Sequence, residues 1–359
     1  MNNDLNQDLV VGLDAGGTRT RALMAAAGDG RALGEGVAGP GNALTVPVPR
    51  LTDHLAEAIA QAVPERARRR VVAVAGGFAG AAETSPDEPG RLNALSALGA
   101  ALRRLGITAD VVGVSSDIEA AFASAPGAPA DGLALVAGTG AVAIRISHRR
   151  CAATVDGDGW LLGDDGSGFW IGRSAVRAAL RMADGRGGPT MLAALVGRAL
   201  DLPADVLPYA VEGEALPYGA DGDARWSAPV TPPLWSRPRR EAYRMWLLPA
   251  VMAEPPIRLA RLAPLVAEAA RDKDAVAAAI LEEAADHLVD TIHALEPRPG
   301  ERIVSTGGLL GPDGPLTALL TSRLGTLGPT LDWVEDGCRG AVALARLGYA
   351  HAAHRTGTT

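Results

Sequence analysis

The sequence predicts an α/β protein with two lobes, and three observations carry that expectation. Short apolar segments bounded by Gly, Ser or Asp recur at 9–14, 21–27, 31–37, 71–75, 111–115, 133–137, 142–146 and 302–305, as strands do. Stretches whose apolar residues return at three and four, such as "VPRLTDHLAEAIAQAV" and "GRLNALSALGAALRRLG", alternate with them and place helices over a sheet. A chain of 359 residues is also long for a single core, and a prior of roughly 150 residues per domain suggests about two units.

Taken in order, the N-terminal part reads strand, strand, strand, helix, strand, helix, strand, helix. The run "ERARRR", just before the strand at 71, reads as a solvated helix end. Beyond 146 the pattern changes to a loop rich in Gly and Asp. A helix start follows at "DDGSGFWIGRSAVRAAL", with Ser167 as its cap. Long Ala-rich helices belong to the second lobe, the clearest of them the run "APLVAEAARDKDAVAAAILEEAADHLVDTIHAL", and a last helix covers 339–354. Residues 202–256 are dense in Pro, Trp, Tyr and Gly and read as a packed, irregular insertion.

Composition removes several function classes. The 34 Lys and Arg are outnumbered by 41 Asp and Glu, for a net charge of −7, and no basic stripe marks a nucleic-acid footprint. Two cysteines, Cys151 and Cys338, encode neither a disulfide framework nor a zinc site, and the six His lack ligand spacing. The opening "MNNDLNQDL" has no cationic leader, and no apolar run approaches the ~18 residues of a membrane span. A cytoplasmic protein without membrane or nucleic-acid partners is expected, with a homodimer as the default assembly.

Three glycine turns carry the chemistry. In "VVGLDAGGTRTRALMA" a strand ends in Asp14 and then turns through Gly16, Gly17, Thr18 and Arg19 into another strand. Glycines let main-chain N–H groups approach an anion, Thr18 adds a hydroxyl and Arg19 a charge, and Asp14 can hold Mg²⁺ or its water shell opposite phosphates. The turn leads to a strand and lacks GxxxxGK, so it is not a P-loop, and taken alone it also suits an ordinary hairpin. "LALVAGTGAVAIRI" repeats the device with Gly138, Thr139 and Gly140, and two such hairpins facing each other would grip a triphosphate from both sides. In "IVSTGGLLG", Gly307 and Gly308 would let a flat base and its ribose lie against the main chain.

The segments "GLDAGGTRTRALM", "SSDIEAAFA", "LVAGTGAVAIRI", "GWLLGDDGSGFWIGRSAV", "LAPLVAEAARDKDAVAAAILEEAADHL" and "STGGLL" resemble, in this order, the actin-like sugar kinase superfamily. Within it they resemble the N-acetylglucosamine kinase and BadF/BadG/BcrA/BcrD-type ATPase family. The resemblance implies two lobes, each a ribonuclease-H-like mixed sheet, closing over ATP and a sugar. It places an N-terminal nucleotide-binding lobe at 1–116, with the 339–354 helix packed back on it. A C-terminal lobe with sugar and adenosine contacts then covers 117–338, including the 202–256 insertion.

Carried over by position, the family's phosphate motifs fall on Asp14, Gly16, Gly17 and Thr18 and on Gly138, Thr139 and Gly140, and its adenosine motif on Gly307 and Gly308. Its catalytic aspartate falls on Asp117, where a carboxylate can accept the proton of an attacking hydroxyl; helix N-capping is the competing role. Asn42, Asp117, Thr139, Gly159, Trp160 and Asp164 fall on the sugar side, with Asx turns as the competing role for Asn42 and Asp164. Asp158 and Asp165 depart from a family loop that often carries Trp and Glu there. A carboxylate at Asp158 favours a cationic sugar, so glucosamine stands beside N-acetylglucosamine. The implied activity is ATP- and Mg²⁺-dependent phosphorylation of an amino sugar, at C6. The alternatives are an activator ATPase of the 2-hydroxyacyl-CoA dehydratase type, whose relatives carry an iron–sulfur cluster on cysteines, and a non-catalytic sugar or nucleotide sensor.

Overall fold

Two five-stranded sheets of the same design organise the chain. The computed structural model describes residues 7–81, 87–208, 235–325 and 330–356. The first sheet is built from β1 (Leu9–Ala15), β2 (Thr20–Ala26) and β3 (Ala32–Ala38), then, after α1 (Val48–Ala62), β4 (Val71–Phe78) and, after α2 (Pro89–Leu105), β5 (Val111–Ser116). Its strand order is β3-β2-β1-β4-β5, antiparallel through the first three strands and parallel from β1 to β5. Helix α3 (Asp117–Ala123) leads to the second sheet, where β6 (Gly132–Ala137), β7 (Ala141–Ser147) and β8 (Arg150–Asp156) form the meander. The chain then runs through α4 (Gly168–Ala183), α5 (Leu192–Ala199), α6 (Arg237–Met252), α7 (Ala263–Arg271), α8 (Ala275–His293), β9 (Arg302–Thr306), α9 (Thr317–Gly325), β10 (Thr330–Trp333) and α10 (Cys338–Thr356). The second order, β10-β9-β6-β7-β8, repeats the first.

The central strand β1 reads "LVVGLDA", apolar almost throughout, because helices cover both of its faces. On the outer face α1 and α2 bury Leu51, Leu55, Ile59, Leu98 and Leu102 against Leu9, Val11 and Leu13. On the inner face α10 buries Cys338, Val342 and Ala345 against Val10, Ala25, Ala73 and Ala75. The second sheet mirrors this arrangement. Helices α4, α5, α7 and α8 build the large outer core, while α3 sets Ala121, Phe122 and Ala125 against Ala134, Ile144 and Val304 on the inner face.

The two inner helices, α3 and α10, therefore lie between the sheets and cross each other. Ser124 at the end of α3 donates from Oγ to the Asp336 carbonyl at 2.9 Å and accepts the Gly340 N–H at 2.7 Å. A Cβ at Gly340 would overlap the Ala120 carbonyl oxygen, so the crossing needs glycine.

Three sequence expectations are corrected here. The helical run 263–295 is two helices, because Lys273 adopts a left-handed φ of 65° and Asp274 then caps α8, accepting from the Val276 and Ala277 N–H groups. The Gly/Asp-rich loop after 146 begins only after a further strand, β8, an exposed edge whose "RCAATVD" lacks strand alternation. Within 202–256, residues 237–252 are helical rather than irregular. Trp235 is buried beside them, donating from Nε1 to Val206, and Tyr243 donates to the Ala193 carbonyl. The remainder of that stretch, 209–234, lies outside the described residues. No helix among the described residues is long and apolar enough to cross a membrane.

In an ordinary helix interior, Gly→Ala gains about 1 kcal/mol of propensity. Gly340→Ala is instead expected to lose about 1–3 kcal/mol through the close crossing. Urea unfolding of both chains checks this, and a more stable variant would contradict the contact.

Candidate active site

Asp14 and Asp117 mark the C-terminal ends of β1 and β5, with β4 between them. Asp14 is in register with Gly77 and Gly77 with Ser115, two residues before Asp117, so both carboxylates lie at the same edge of the sheet, one on each side of β4. In open α/β sheets this is the edge at which ligands bind. Helix α3 starts at Asp117, yet its cap is Ser116. The Ser116 Oγ accepts from Glu119 N–H at 3.2 Å, and the Glu119 carboxylate accepts from Ser116 N–H at 2.9 Å. The capping role that competed for Asp117 thus belongs to its neighbour. Asp117 Oδ1 accepts from Ile118 N–H at 3.0 Å.

Burial, and then the charge of Asp14, push the Asp117 carboxyl up from 3.8 to about 6. Asp14 is also raised, by burial and then by Asp336; the Gly337 N–H, Arg21 and Arg19 pull the other way. Arg21 donates to Asp336 at 2.6 Å, tying β2 to the segment that enters α10. The sequence reading missed Asp336 and Gly337; the only signal was an Asp-Gly pair ahead of a helix. The buried Cys338 thiol beside them is pushed up by burial, Asp336 and Asp14, while Cys151 is exposed on β8.

Across the second sheet a cavity of about 780 Å³ opens, lined by Gly138, Thr139 and Gly168 on one wall and Gly308, Leu309, Asp313 and Pro315 on another. Its third wall comes from Ile257, Arg258, Ala260 and Arg261 and from Ala263, Pro264, Ala267 and Arg271 of α7. Part of that wall falls in the Ala-rich segment that carries the family resemblance, but none of its residues was assigned a role from the sequence. The glycines of the three turns divide into two kinds. A Cβ at Gly140 would sit 2.7 Å from Asp164 Oδ1, and one at Gly307, where φ is 104°, would overlap the Ala137 carbonyl; these two are required by the protein itself. At Gly17, Gly138 and Gly308 a Cβ would meet nothing within 4 Å, so packing demands no glycine there and the main chain is open to a ligand. Gly16 closes its turn by donating to Arg19 O at 2.9 Å, Thr18 is exposed, and Arg19 faces a different cavity, of about 680 Å³, with Arg21 and Asp336.

The residues expected on the sugar side sit on two loops. Asn42 Oδ1 accepts from the Leu44 and Thr45 N–H groups, so the Asx-turn role is present, while its side-chain amide nitrogen makes no hydrogen bond to any described residue. Asp164, at a left-handed φ of 56°, accepts the Ala141 N–H with Oδ1, and its Oδ2 has no hydrogen-bond partner among the described residues. Burial, and then Asp156, Asp158 and Asp165, raise it, against the Ala141 hydrogen bond. Gly159 has a φ of 83° and Trp160 rests edge-on against Phe169 at 5.7 Å. Asp158 and Asp165 are exposed. Asp156, unremarked in the sequence, organises this loop by accepting the Gly157, Asp164 and Asp165 N–H groups. Ser167 caps α4 as expected, and the Gly168 N–H donates to Gly138 O at 2.8 Å, fixing the helix to the second glycine turn.

No group of three His, Cys, Asp or Glu side chains among the described residues could hold a metal ion. The carboxylates at the sheet edge fit Mg²⁺ in another way: this ion commonly takes one or two carboxylates and completes its shell with water and phosphate oxygens.

Two mixed sheets of identical order, with helices crossing between them and glycine turns at the strand ends, define the two-lobed actin-like ATPase fold. Residues 11–326 match the BadF/BadG/BcrA/BcrD ATPase family, and the chain belongs to it. It is similar to the N-acetylmuramic acid/N-acetylglucosamine kinase of Clostridium acetobutylicum, at 29% identity over 185 residues. That match covers 51% of this chain and only 57% of the relative. Its fold is similar to that of a candidate N-acetylglucosamine kinase from Chromobacterium violaceum, with a TM-score of 0.65 and 20% identity over 94% of this chain and 99% of that one. A second candidate N-acetylglucosamine kinase, from Porphyromonas gingivalis, gives a TM-score of 0.64 and 21% identity over 97% and 100%.

Because the folded protein holds the Asp117 proton up to about pH 6 and the unfolded chain only to about 3.8, this group favours the fold at low pH. That contribution is lost as pH rises through 6. Asp117→Asn is therefore expected to be more stable than the parent at pH 8, by up to about 3 kcal/mol, with the gain shrinking as pH falls from 6 towards 4. Thermal unfolding across this range checks it. A lowered Tm at pH 8 would mark Asp117 as merely structural.

Proposed function

We propose that the protein is an ATP-dependent kinase that transfers the γ-phosphoryl group to the C6 hydroxyl of an amino sugar, N-acetylglucosamine or glucosamine. The observation that carries this reading is the buried Asp117 carboxylate at the sheet edge, raised to about 6, so that it is charged at neutral pH yet basic enough to take a proton. Family membership and the kinase relatives support the same chemistry.

In this reading the cavity at Gly138, Thr139 and Gly308 receives the nucleotide. The open main chain at Gly138 and Gly308 lies against phosphates and nucleoside, and Gly16, Gly17, Thr18 and Arg19 form the facing phosphate turn. Mg²⁺, held through Asp14 and its waters, neutralises phosphate charge when bound. Asp117 orients the sugar hydroxyl and accepts its proton as the phosphoryl group leaves ADP. Asp164 Oδ2 and the Asn42 amide accept from and donate to the other hydroxyls. Trp160 and Gly159 supply a wall for the sugar ring. Phosphoryl transfer asks the protein chiefly for alignment and charge neutralisation, and these are what the two lobes provide.

ADP release over a panel of glucosamine, N-acetylglucosamine, N-acetylmuramic acid, N-acetylmannosamine and glucose tests the assignment. An amino sugar is expected to turn over fastest, and Asp117→Asn to lower kcat about 10²–10⁴-fold. The parent's kcat/KM is expected to rise with pH through about 6, the pH at which Asp117 loses its proton. ATP binding without turnover of any sugar would overturn the reading in favour of a sensor.

The exposed Asp158 adds a specificity expectation. Removing its charge with Asp158→Asn is expected to lower kcat/KM for glucosamine about 2–5-fold relative to N-acetylglucosamine, the size of an exposed ion pair. Competition assays with both sugars measure this, and an unchanged preference would refute a cationic contact.

A further inference from the structure

A second cavity, of about 520 Å³, opens on the far part of α4, between that helix and α8. Arg173, Arg177 and Arg181 line it at helical spacing from α4, and Arg186 joins them from the turn that follows, against one lining carboxylate, Glu283. In a chain whose net charge is −7, this concentration of guanidinium groups is local and one-sided. Like charges four residues apart on a helix repel each other, so the stripe carries a penalty unless an anion offsets it.

Among the described residues no carboxylate pairs with the centre of the stripe. Arg177 forms no hydrogen bond or ion pair with any described residue. The Arg173 Nε is buried without a hydrogen-bond partner, and its guanidinium is held over the Phe169 ring, 5.5 Å from the centroid. Arg181 donates to the Arg186 carbonyl at 3.3 Å, which joins the helix to the turn, and Arg186 is steadied by Asp184 at 2.5 Å. Glu283 lies 4.0 Å from His287 Nε2. The wall is thus fixed while, among the described residues, its two central cations, Arg173 and Arg177, have no anionic partner. Guanidinium forks match phosphate oxygens bidentately, and a concave site of this volume suits a small molecule rather than a polymer.

We propose that this cavity is an anion site for a small phosphate-bearing molecule, a phosphomonoester or pyrophosphate, separate from the catalytic cleft. Gly168 of α4 lines the first cavity and Arg177 the second, nine residues and about 14 Å along one helix. The assignment does not depend on the kinase reading.

Calorimetric titration of the full chain with inorganic phosphate, pyrophosphate and glucosamine 6-phosphate, at constant ionic strength, tests it. Saturable binding of at least one probe is expected. Its affinity should fall about tenfold or more in Arg177→Glu, an exposed position that can change without unfolding the helix, and stay the same in Thr139→Val in the other cavity. Three results would overturn the site: no saturable binding of any probe, equal affinity in Arg177→Glu, or a loss confined to Thr139→Val. Binding lost in Arg177→Glu supports it whether or not the protein phosphorylates any sugar.

Discussion

The structure depends on holding two half-buried carboxylates, Asp14 and Asp117, at one edge of the first sheet, where each is partly withdrawn from water. Each is raised by burial, and the charge of Asp14 adds to the shift of Asp117. Such a pair is tolerable only where fixed dipoles and hydrogen bonds partly replace the lost hydration. The fold supplies them by aiming two helix N-termini at one place. Helix α3 begins at Asp117 itself, and the Gly337 N–H, one residue before α10, donates to Asp14. The crossing of α3 and α10 at Ser124 and Gly340 is thus the mechanical origin of the site's electrostatics. A group that the fold would rather keep protonated is also one that can take a proton from a substrate.

The glycine turns complement this with exposed main chain. Only some of their glycines are required by packing: Gly140 and Gly307 are dictated by Asp164 and by the Ala137 carbonyl, whereas Gly17, Gly138 and Gly308 face open space. The side-chain wall of the cavity comes from α7 and the turn before it, so the site joins the outer helices of the second lobe to its sheet edge.

Much of this was legible in the sequence. The doubly covered strands announce themselves as apolar runs, and the turns by their glycines, so the first meander, strands β6 and β7 of the second, and the parallel strands β4, β5 and β9 could be placed within a few residues. The elements that were not legible carry no periodic signal: β8 is an exposed edge, β10 is four residues long, and the helix at 237–252 is disguised by its Pro and Trp content. The break between α7 and α8 turns on Lys273 adopting a left-handed conformation, which Asp274 then caps. Asp14 and Asp117 stood out because each ends an apolar strand. Asp156, Asp336 and Gly337 did not, because their work is done through main-chain N–H groups brought close by tertiary packing rather than by sequence neighbours. The arginine stripe of α4 was equally silent, since helical spacing of Arg usually means a solvated face.

The most direct measurement of the central claim is a carbon-13 NMR titration of the aspartate carboxyl groups, with Asp117→Asn to assign the resonance. The account requires one carboxyl that titrates near 6 in the ligand-free protein and vanishes in the variant. If Asp117 titrates with ordinary surface carboxylates near 3.8, the buried pair is not the organising feature and the mechanism built on it fails.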